Sequence, residues 1–145
     1  MEIKFKRITE DAILPRQNNP DTLTGDAGFD LFGTEQITVP ARGSVIAPTG
    51  LQIADITKGY WFKIEGRSGL GFHHSVIPHP GVVDNQYRGE LQVKLYNQSD
   101  IDVTIEKGKG IAQFVVFKMN IVKVSVSEEI TSTARGEKGF GSSDV

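Results

Sequence analysis

The segment Gly81–Gly89 places a carboxylate and an aromatic ring close together along the chain. Asp84 follows two apolar residues, and Tyr87 comes three positions later. A carboxylate in such a position can act as a general base that takes a proton from water, and the ring of Tyr87 offers a flat face to a sugar or a nucleobase. A turn that begins at Asp84 explains the same residues without any chemistry, and Asn85 fits that interpretation. Both interpretations stay open at this point.

Two further stretches have residue types that suit phosphate binding. Arg67 can bind a phosphate through two N–H groups, and the Ser68 hydroxyl and the Gly69 amide can add donors. Near the end of the chain, Arg135 and the run Gly139–Ser143 can form a second anion-binding loop. Neither stretch has the Gly-Lys-Ser/Thr ending of a Walker A loop. An ordinary turn and a polar chain end remain the simpler explanations of each stretch taken alone.

Two polar side chains interrupt stretches that are otherwise apolar. Asp30 lies within Ala27–Leu31, and a carboxylate there needs an arginine, backbone N–H groups or a hydrated Mg²⁺ ion as its partner. Gln113 lies within Ile111–Phe117, where an ordinary position on the face of a sheet is the simpler explanation. Each residue is therefore a candidate for the site rather than evidence of one.

Composition narrows the classes of function. The 145 residues are enough for one domain rather than two. A net charge of −2 gives no general attraction to nucleic acid, and the absence of cysteine excludes a disulfide framework, a thiol nucleophile and a cysteine-based zinc site. The three histidines, His73, His74 and His79, match no known metal-ligand spacing. No long apolar run or signal-peptide pattern is present, so we expect a protein of the cytoplasm (the host cytoplasm if viral) that binds no membrane.

The residues that would position these groups are those of a β protein. Val, Ile and Thr number 37, whereas Ala and Leu number only 14, and branching at Cβ suits a pleated strand better than a helix. Apolar residues alternate with period two in three runs, which predict strands over residues 60–65, 91–96 and 121–126. Less regular patterns predict strands at Ile3–Ile8, Gln36–Val39, Ser44–Thr49, Asp102–Ile105 and Ile111–Phe117.

Eight or more short strands at this spacing predict an all-β jelly roll or a distorted, barrel-like sandwich. One short helix is expected after Ser68, within Gly69–Ser75. Residues 1–130 are predicted to form the single domain, and Thr131–Val145 is predicted to be a flexible C-terminal arm that closes over the site.

The candidate segments, taken in their order along the chain, closely resemble the five motifs of the trimeric dUTP pyrophosphatases, or dUTPases. The third motif, Gly-Val-Val-Asp-x-x-Tyr-Arg-Gly, and the fifth, Arg-Gly-x-x-Gly-Phe-Gly-Ser, are the most specific. The resemblance covers residues 27–143. The segments are Ala27–Leu31, Arg67–Leu70, Gly81–Gly89, Gly108–Gln113 and Arg135–Ser143.

The resemblance implies a hydrolase that converts dUTP to dUMP and pyrophosphate, acting as a jelly-roll homotrimer whose sites are shared between subunits. By this similarity, Asp84 is the base that activates water for attack on the α-phosphorus. Tyr87 stacks on the deoxyribose and leaves no room for a 2′-hydroxyl. Backbone groups of a hairpin from about Val76 to Asp84, Val83 among them, read the uracil.

The resemblance also implies how the triphosphate is held. Asp30 reaches a Mg²⁺ cofactor through the water shell of the ion, as suits a cation that keeps several of its waters. Phe140 covers the uracil ring. The residues implied to hold phosphates are Arg67, Ser68, Gly69 and Gln113, with Arg135, Gly141 and Ser142 at the γ-phosphate.

Four features depart from the common pattern of the family. Gln86 stands where Asp is common, Gly110 where Arg or Lys is common, and Lys138 where Gly is frequent, while Pro78-His79-Pro80 has two unusual prolines.

Three other hypotheses about the function compete with this one. A dCTP deaminase typically has Arg-Ser-Ser and a Trp in the third motif, a nucleotide-responsive regulator often has an inserted segment, and a capsid-type jelly roll would not explain Asp84 and Tyr87.

Overall fold

A computed structural model describes residues 1–139, and this part of the chain contains ten strands and one short helix. Their bounds are β1 Ile3–Arg7, β2 Gly28–Phe32, β3 Ile37–Val39, β4 Ser44–Ile56, β5 Tyr60–Glu65, α1 Ser68–His74, β6 Val76–Pro78, β7 Gly81–Val83, β8 Glu90–Asn97, β9 Val103–Ile105 and β10 Gly110–Lys118.

The strands form two four-stranded antiparallel sheets and a two-stranded ribbon. One sheet has the order β1-β4-β8-β6, the other has the order β2-β10-β5-β7, and β3 pairs with β9. The sheets do not close into a barrel, because each has two open edges. The predicted all-β jelly roll with one short helix is confirmed, and the helix occupies the predicted place.

The inner faces of the two sheets and the ribbon meet in one hydrophobic core. Alternation along β8 buries every second residue, so that Leu91, Val93 and Leu95 face inward while the residues between them are exposed or half-buried. Phe114 of β10 lies at the centre of the aromatic contacts, with its ring centroid 4.7 Å from that of Phe62 and 5.2 Å from that of Phe29. This core, together with the ladder between β5 and β10, keeps the two strands side by side.

The segment from Val76 to Asp84, expected to form a hairpin, contains two strands that do not pair with each other. β6 pairs with β8 in the first sheet, whereas β7 pairs with β5 in the second. Pro78 and Pro80 lack the N–H that a ladder between the two strands would need. The segment is therefore a short link from one sheet to the other, and the backbone N–H of His79 donates to Lys94 at 2.7 Å.

The prediction of a strand over residues 121–126 is wrong for the isolated chain. β10 ends at Lys118, and residues 119–139 contain no strand or helix. The apolar side chains of the predicted strand are exposed, with Val124 at 90% and Val126 at 97%. A period-two pattern needs a neighbouring strand and a face to bury, and residues 1–118 of the same chain provide neither for this segment.

No helix among the described residues is long and apolar enough to cross a membrane.

Candidate active site

Asp84 is the first residue after the end of β7. The β5–β7 pairing ends with Val83 opposite Phe62, so that Val83 is buried and Asp84 is exposed. Together these residues border a cleft of about 240 Å³. The other residues that line it are Ile64, Gly81, Val82, Tyr87, Glu90, Leu91 and Gln92.

The ring of Tyr87 forms one wall of this cleft. A tight turn brings it there, because the backbone N–H of Tyr87 donates to the Asp84 carbonyl at 3.0 Å. The Tyr87 hydroxyl donates to the Glu90 carbonyl at 2.8 Å. Gly89 is needed beneath the ring, since a Cβ at this position would lie 2.4 Å from the Tyr87 hydroxyl oxygen. The ring is thus fixed at its polar end and exposed along its face, as a stacking surface must be.

Two neighbouring side chains hold the Asp84–Tyr87 turn. Asn85 Nδ2 donates to the carbonyls of Thr57 at 3.0 Å and Tyr60 at 2.8 Å, at the turn between β4 and β5. Arg88 Nη1 donates to the carbonyls of Asn85 at 2.7 Å and Tyr87 at 2.8 Å. Asn85 therefore anchors the turn to the second sheet, whereas Arg88 supports the turn from within.

A second cleft, of about 420 Å³, is built around an ion pair. Arg67 Nε donates to Asp30 Oδ1 and Arg67 Nη2 donates to Asp30 Oδ2, each at 2.9 Å, which is the two-point geometry of a strong arginine–carboxylate pair. The Asp30 side chain is 10% exposed and that of Arg67 is 31% exposed. The cleft is lined by Asn18, Asp26, Ala27, Gly28, Asp30, Arg67, Ser68, Gly69, Gln113 and Val115.

Glycines allow polar side chains to lie directly on the backbone in this second cleft. The Arg67 guanidinium lies over Gly110, where a Cβ would be 2.8 Å from Cζ, and Arg67 Nη1 donates to the Gly110 carbonyl at 3.2 Å. Gln113 Nε2 donates to the Gly66 carbonyl at 2.7 Å, and its carboxamide rests against Gly28. The departure at residue 110 is thus explained, because the space of a larger side chain is taken by Arg67.

The described residues do not form a metal-binding site of their own. None of their His, Asp or Glu side chains gather in threes in a way that could hold an ion. Asp30 Oδ2 accepts hydrogen bonds from both Arg67 and Asn18, and Oδ1 accepts one from Arg67. A carboxylate has about four acceptor positions, so one position on Oδ1 remains for a water. That Asp30 meets Mg²⁺ through water stays a prediction, with room for a single contact.

The predicted site residues therefore fall into two groups within one chain. Val83, Asp84 and Tyr87 share the first cleft, while Asp30, Arg67, Ser68, Gly69 and Gln113 share the second, and no described residue lines both. In residues 1–139, Arg135 makes a local bond, from its Nε to the Lys138 carbonyl at 2.9 Å. Phe140, Gly141 and Ser142 lie outside the described residues.

Sequence reasoning assigned no role in the site to two asparagines that shape it. Asn18 Nδ2 donates to Asp30 Oδ2 at 3.0 Å, and the loop that carries it is closed by Asp26 Oδ2, which accepts from the Asn18 and Asn19 amides. Asn85 is noticed in the sequence only as a turn residue. No spacing pattern marks either residue, because their partners are 12 and 25 to 28 residues away.

Comparison with known proteins gives a consistent result. The dUTPase family model matches residues 15–144. The deoxyuridine 5′-triphosphate nucleotidohydrolase of Oryza sativa subsp. japonica is 38% identical over 99% of this chain and 81% of that protein. A probable deoxyuridine 5′-triphosphate nucleotidohydrolase of Schizosaccharomyces pombe is 35% identical over the whole of both chains. The structure of the Staphylococcus bacteriophage 80alpha dUTPase with dUPNHPP superposes with a TM-score of 0.85, at 26% identity and 99% coverage of each chain.

We expect Asp30→Asn to lower the free energy of unfolding by about 2–3 kcal/mol, because it leaves the half-buried Arg67 without its charged partner. Asp100→Asn is the matched control, since it breaks the Arg42–Asp100 pair, whose side chains are 64% and 81% exposed. That exposed pair should contribute no more than about 0.5 kcal/mol. Urea denaturation of the two variants measures both values, and equal losses would contradict a structural role for the Asp30–Arg67 pair.

Proposed function

The chain belongs to the dUTPase family and is a dUTP nucleotidohydrolase, and we propose that it hydrolyses dUTP to dUMP and pyrophosphate at sites shared between the copies of a homotrimer. The observation that carries the proposal is the separation of the two clefts. Asp84 follows the residue opposite Phe62 near the start of β5, whereas Arg67 lies two residues beyond its end. A strand rises about 3.3 Å per residue, so the backbone positions of the two residues are separated by at most roughly 20 Å along the strand direction.

Within one chain the two groups lie in separate clefts that share no lining residue among those described. The reacting α-phosphorus must lie within hydrogen-bonding distance of the water that the base holds, and the β- and γ-phosphates extend only a few ångströms further. A site that uses Asp84 of one copy and Arg67, Ser68 and Gly69 of another brings the two groups together. This arrangement accounts for two half-sites that each hold only part of the predicted site residues.

The reaction itself needs little covalent chemistry from the protein. Asp84 accepts a proton from a water whose oxygen bonds to the α-phosphorus, while the bond from that phosphorus to the bridging oxygen breaks and pyrophosphate leaves. Because the Asp84–Tyr87 turn is held by Asn85 and Arg88, the carboxylate is positioned before the nucleotide arrives. Such positioning accounts for much of the rate in phosphoryl transfer.

Tyr87 and the link between the sheets select the nucleoside. The Tyr87 ring packs against the deoxyribose and excludes a 2′-hydroxyl, and the backbone around Val83 reads the uracil edge. The cleft has buried apolar walls, Leu91 and Ile64 among them, which suit a flat base. Pro78 and Pro80 limit the backbone freedom of the link that leads into Gly81 and Val82 of this cleft.

The phosphates are held by the second cleft. The first hydrogen bond of α1 runs from the Gly71 amide to the Arg67 carbonyl at 3.0 Å, so the Ser68 and Gly69 amides precede it and have no partner within the helix. The Ser68 hydroxyl and Gln113 line the same cleft and can bind phosphate oxygens. Arg67, although paired with Asp30, keeps two N–H groups that the structure engages with no described residue.

Mg²⁺ is the proposed cofactor, and the described residues do not fit direct ligation of it. Magnesium commonly keeps several waters and binds substrate phosphates with few protein ligands. The ion would therefore arrive on the triphosphate. The role of the protein is limited to Asp30, through the one free acceptor position of its carboxylate.

The location in the cytoplasm, or in the host cytoplasm for a viral chain, also stays a prediction.

The exposed apolar stripe beyond β10 supports an assembly of several copies. Ile121, Val122, Val124, Val126 and Ile130 are each at least 74% exposed. Apolar side chains in such a row mark an interaction surface. Their period-two pattern suits pairing with an open sheet edge of another copy, and β1 is such an edge. We propose that Arg135, Phe140, Gly141 and Ser142 are brought by the same segment to a site on a neighbouring copy.

Asp84→Asn should lower kcat by about 10²–10⁴-fold, because the amide cannot take a proton from water. Nucleotide binding and the trimer should be retained, since the amide has the size of the carboxylate. Pyrophosphate release and native mass spectrometry measure the two properties. Near-normal turnover by the purified variant would remove Asp84 from the mechanism.

Tyr87→Ala should reduce the discrimination between dUTP and UTP more than it weakens phosphate binding. Losing the ring opens space beside the sugar, whereas the phosphate-binding residues lie in the other cleft. The ratio of kcat/KM for dUTP to that for UTP is the measurement. An unchanged ratio would show that Tyr87 does not exclude the 2′-hydroxyl.

Chains deleted from Thr133 onward should fold normally but lose most of their activity, because they lack Arg135, which would neutralise charge on the leaving pyrophosphate. An arginine that neutralises charge in a phosphoryl-transfer transition state is worth about 10³–10⁵ in rate. Co-refolding such chains with Asp84→Asn chains should restore dUTP hydrolysis, since some mixed trimers then place an intact Asp84 beside an intact C-terminal segment. Absence of recovery, with mixed trimers confirmed by native mass spectrometry, would show that the segment does not act on a neighbouring copy.

A further inference from the structure

We propose that Asn85 is a positioning residue for hydrolysis, and that its carboxamide holds the Asp84 carboxylate in place by tying the Asp84–Tyr87 turn to the turn between β4 and β5. The inference rests on the proposed role of Asp84. Nothing in the sequence pattern assigns Asn85 to the reaction, since a turn residue explains it equally well.

The first step of the argument is where the β5–β7 ladder ends. Gly81, Val82 and Val83 pair with Ile64, Lys63 and Phe62, and no later residue of this segment pairs with β5. Continuation of the register would place Asn85 opposite Tyr60. There, Asn85 Nδ2 donates to the Tyr60 carbonyl at 2.8 Å and to the Thr57 carbonyl at 3.0 Å. The side chain thus replaces the backbone bonds that the ladder no longer supplies.

Asp84 lies between these two attachments. On one side Val83 is buried and paired with β5, and on the other Asn85 is bound to the β4–β5 turn. The Asp84 carboxylate is exposed, and within residues 1–139 the structure shows no hydrogen bond to it. Its direction is therefore set by the backbone on either side, and Asn85 is half of that support.

The anchor to which Asn85 binds is itself fixed. The Thr57 amide donates to the Glu2 carbonyl at 3.0 Å, and the Glu2 amide donates to the Thr57 hydroxyl at 2.8 Å. The Met119 amide donates to the Gly59 carbonyl at 2.7 Å. The β4–β5 turn is thus bound to the start of β1 and to the end of β10. A side chain that bonds to it gains a rigid reference rather than a mobile loop.

Both hydrogen bonds of Asn85 require a donor. Asn85→Asp keeps the size of the side chain but directs carboxylate oxygens at two carbonyl oxygens, so the attachment becomes repulsive. Asn85→Ser leaves one hydroxyl on a shorter side chain, which cannot bridge both carbonyls. Either change should let Asp84 move by a fraction of an ångström to an ångström, the scale on which positioned catalysis is lost.

The chain offers a matched control in Asn97. Its Nδ2 also bridges two backbone carbonyls, those of Val39 at 3.0 Å and Ile101 at 2.7 Å, and the residue is 2% exposed. It lines neither cleft. Asn97→Ser therefore removes a bridge of the same chemistry that serves the fold alone.

The test compares Asn85→Asp, Asn85→Ser, Asn97→Ser and Asp84→Asn in the full-length protein, with kcat, KM for dUTP and the melting temperature measured for each. We expect kcat of the Asn85 variants to fall about 10- to 100-fold, with KM changed by less than about threefold and a melting temperature above that of Asn97→Ser. Asn97→Ser should have a lower melting temperature than the unmodified protein but the same kcat per folded site.

The outcomes separate the two proposals. If Asp84→Asn is inactive while both Asn85 variants keep normal kcat, the positioning role is overturned and the role of Asp84 stands. If the Asn85 variants lose activity only because a larger fraction of the protein is unfolded, their kcat per folded site is normal. Asn97→Ser is expected to behave in this way, and the same result for the Asn85 variants would also overturn the positioning role. If Asp84→Asn is fully active, the proposed function of Asp84 fails first, and the inference fails with it.

Discussion

The length of β5 is the constraint on which the rest of the site depends. Its six residues, Tyr60–Glu65, pair with β7 on one side and with β10 on the other, and its buried side chains belong to the common core. The Asp84 turn is attached near its first residue, and Arg67 follows its last. Because an extended strand cannot shorten, β5 keeps the Asp84 turn and Arg67 of one chain near its opposite ends. The proposed sharing of sites between copies rests on this separation.

Each half-site solves a different physical problem. The second cleft holds a carboxylate that is almost fully covered, and the cost of burying it is offset by two hydrogen bonds from Arg67 and one from Asn18. Gly110 is part of the same solution, since it gives the guanidinium its place. The first cleft instead leaves the Asp84 side chain exposed. There, Asn85 and Arg88 hold the backbone of the turn through hydrogen bonds to carbonyl groups. The second cleft thus neutralises its buried carboxylate, whereas the first leaves the carboxylate of the proposed base exposed.

The segment beyond β10 gives the clearest case in which a local pattern is real but its partner is missing from the chain. Residues 121–126 alternate as a strand does, yet Val124 and Val126 are exposed in the isolated chain. A strand is stable only when its N–H and C=O groups are paired and one face is buried. An assembly of the kind proposed, in which another copy supplies an open sheet edge, would meet both needs.

Much of the fold is determined by local sequence. Cβ-branched residues with period two place β5, β8 and the core face of β10, and the ordered motifs around Asp30, Arg67, Asp84 and Gln113 identify the family, because these signals lie in residue type and short spacing. The tertiary structure alone decided which of those residues meet. It paired Arg67 with Asp30, separated both from Asp84, sent β6 and β7 to different sheets, and assigned Asn18 and Asn85 their partners. Those outcomes depend on contacts between residues that are 12 or more apart in the chain, which the packing of two sheets sets and no short spacing records.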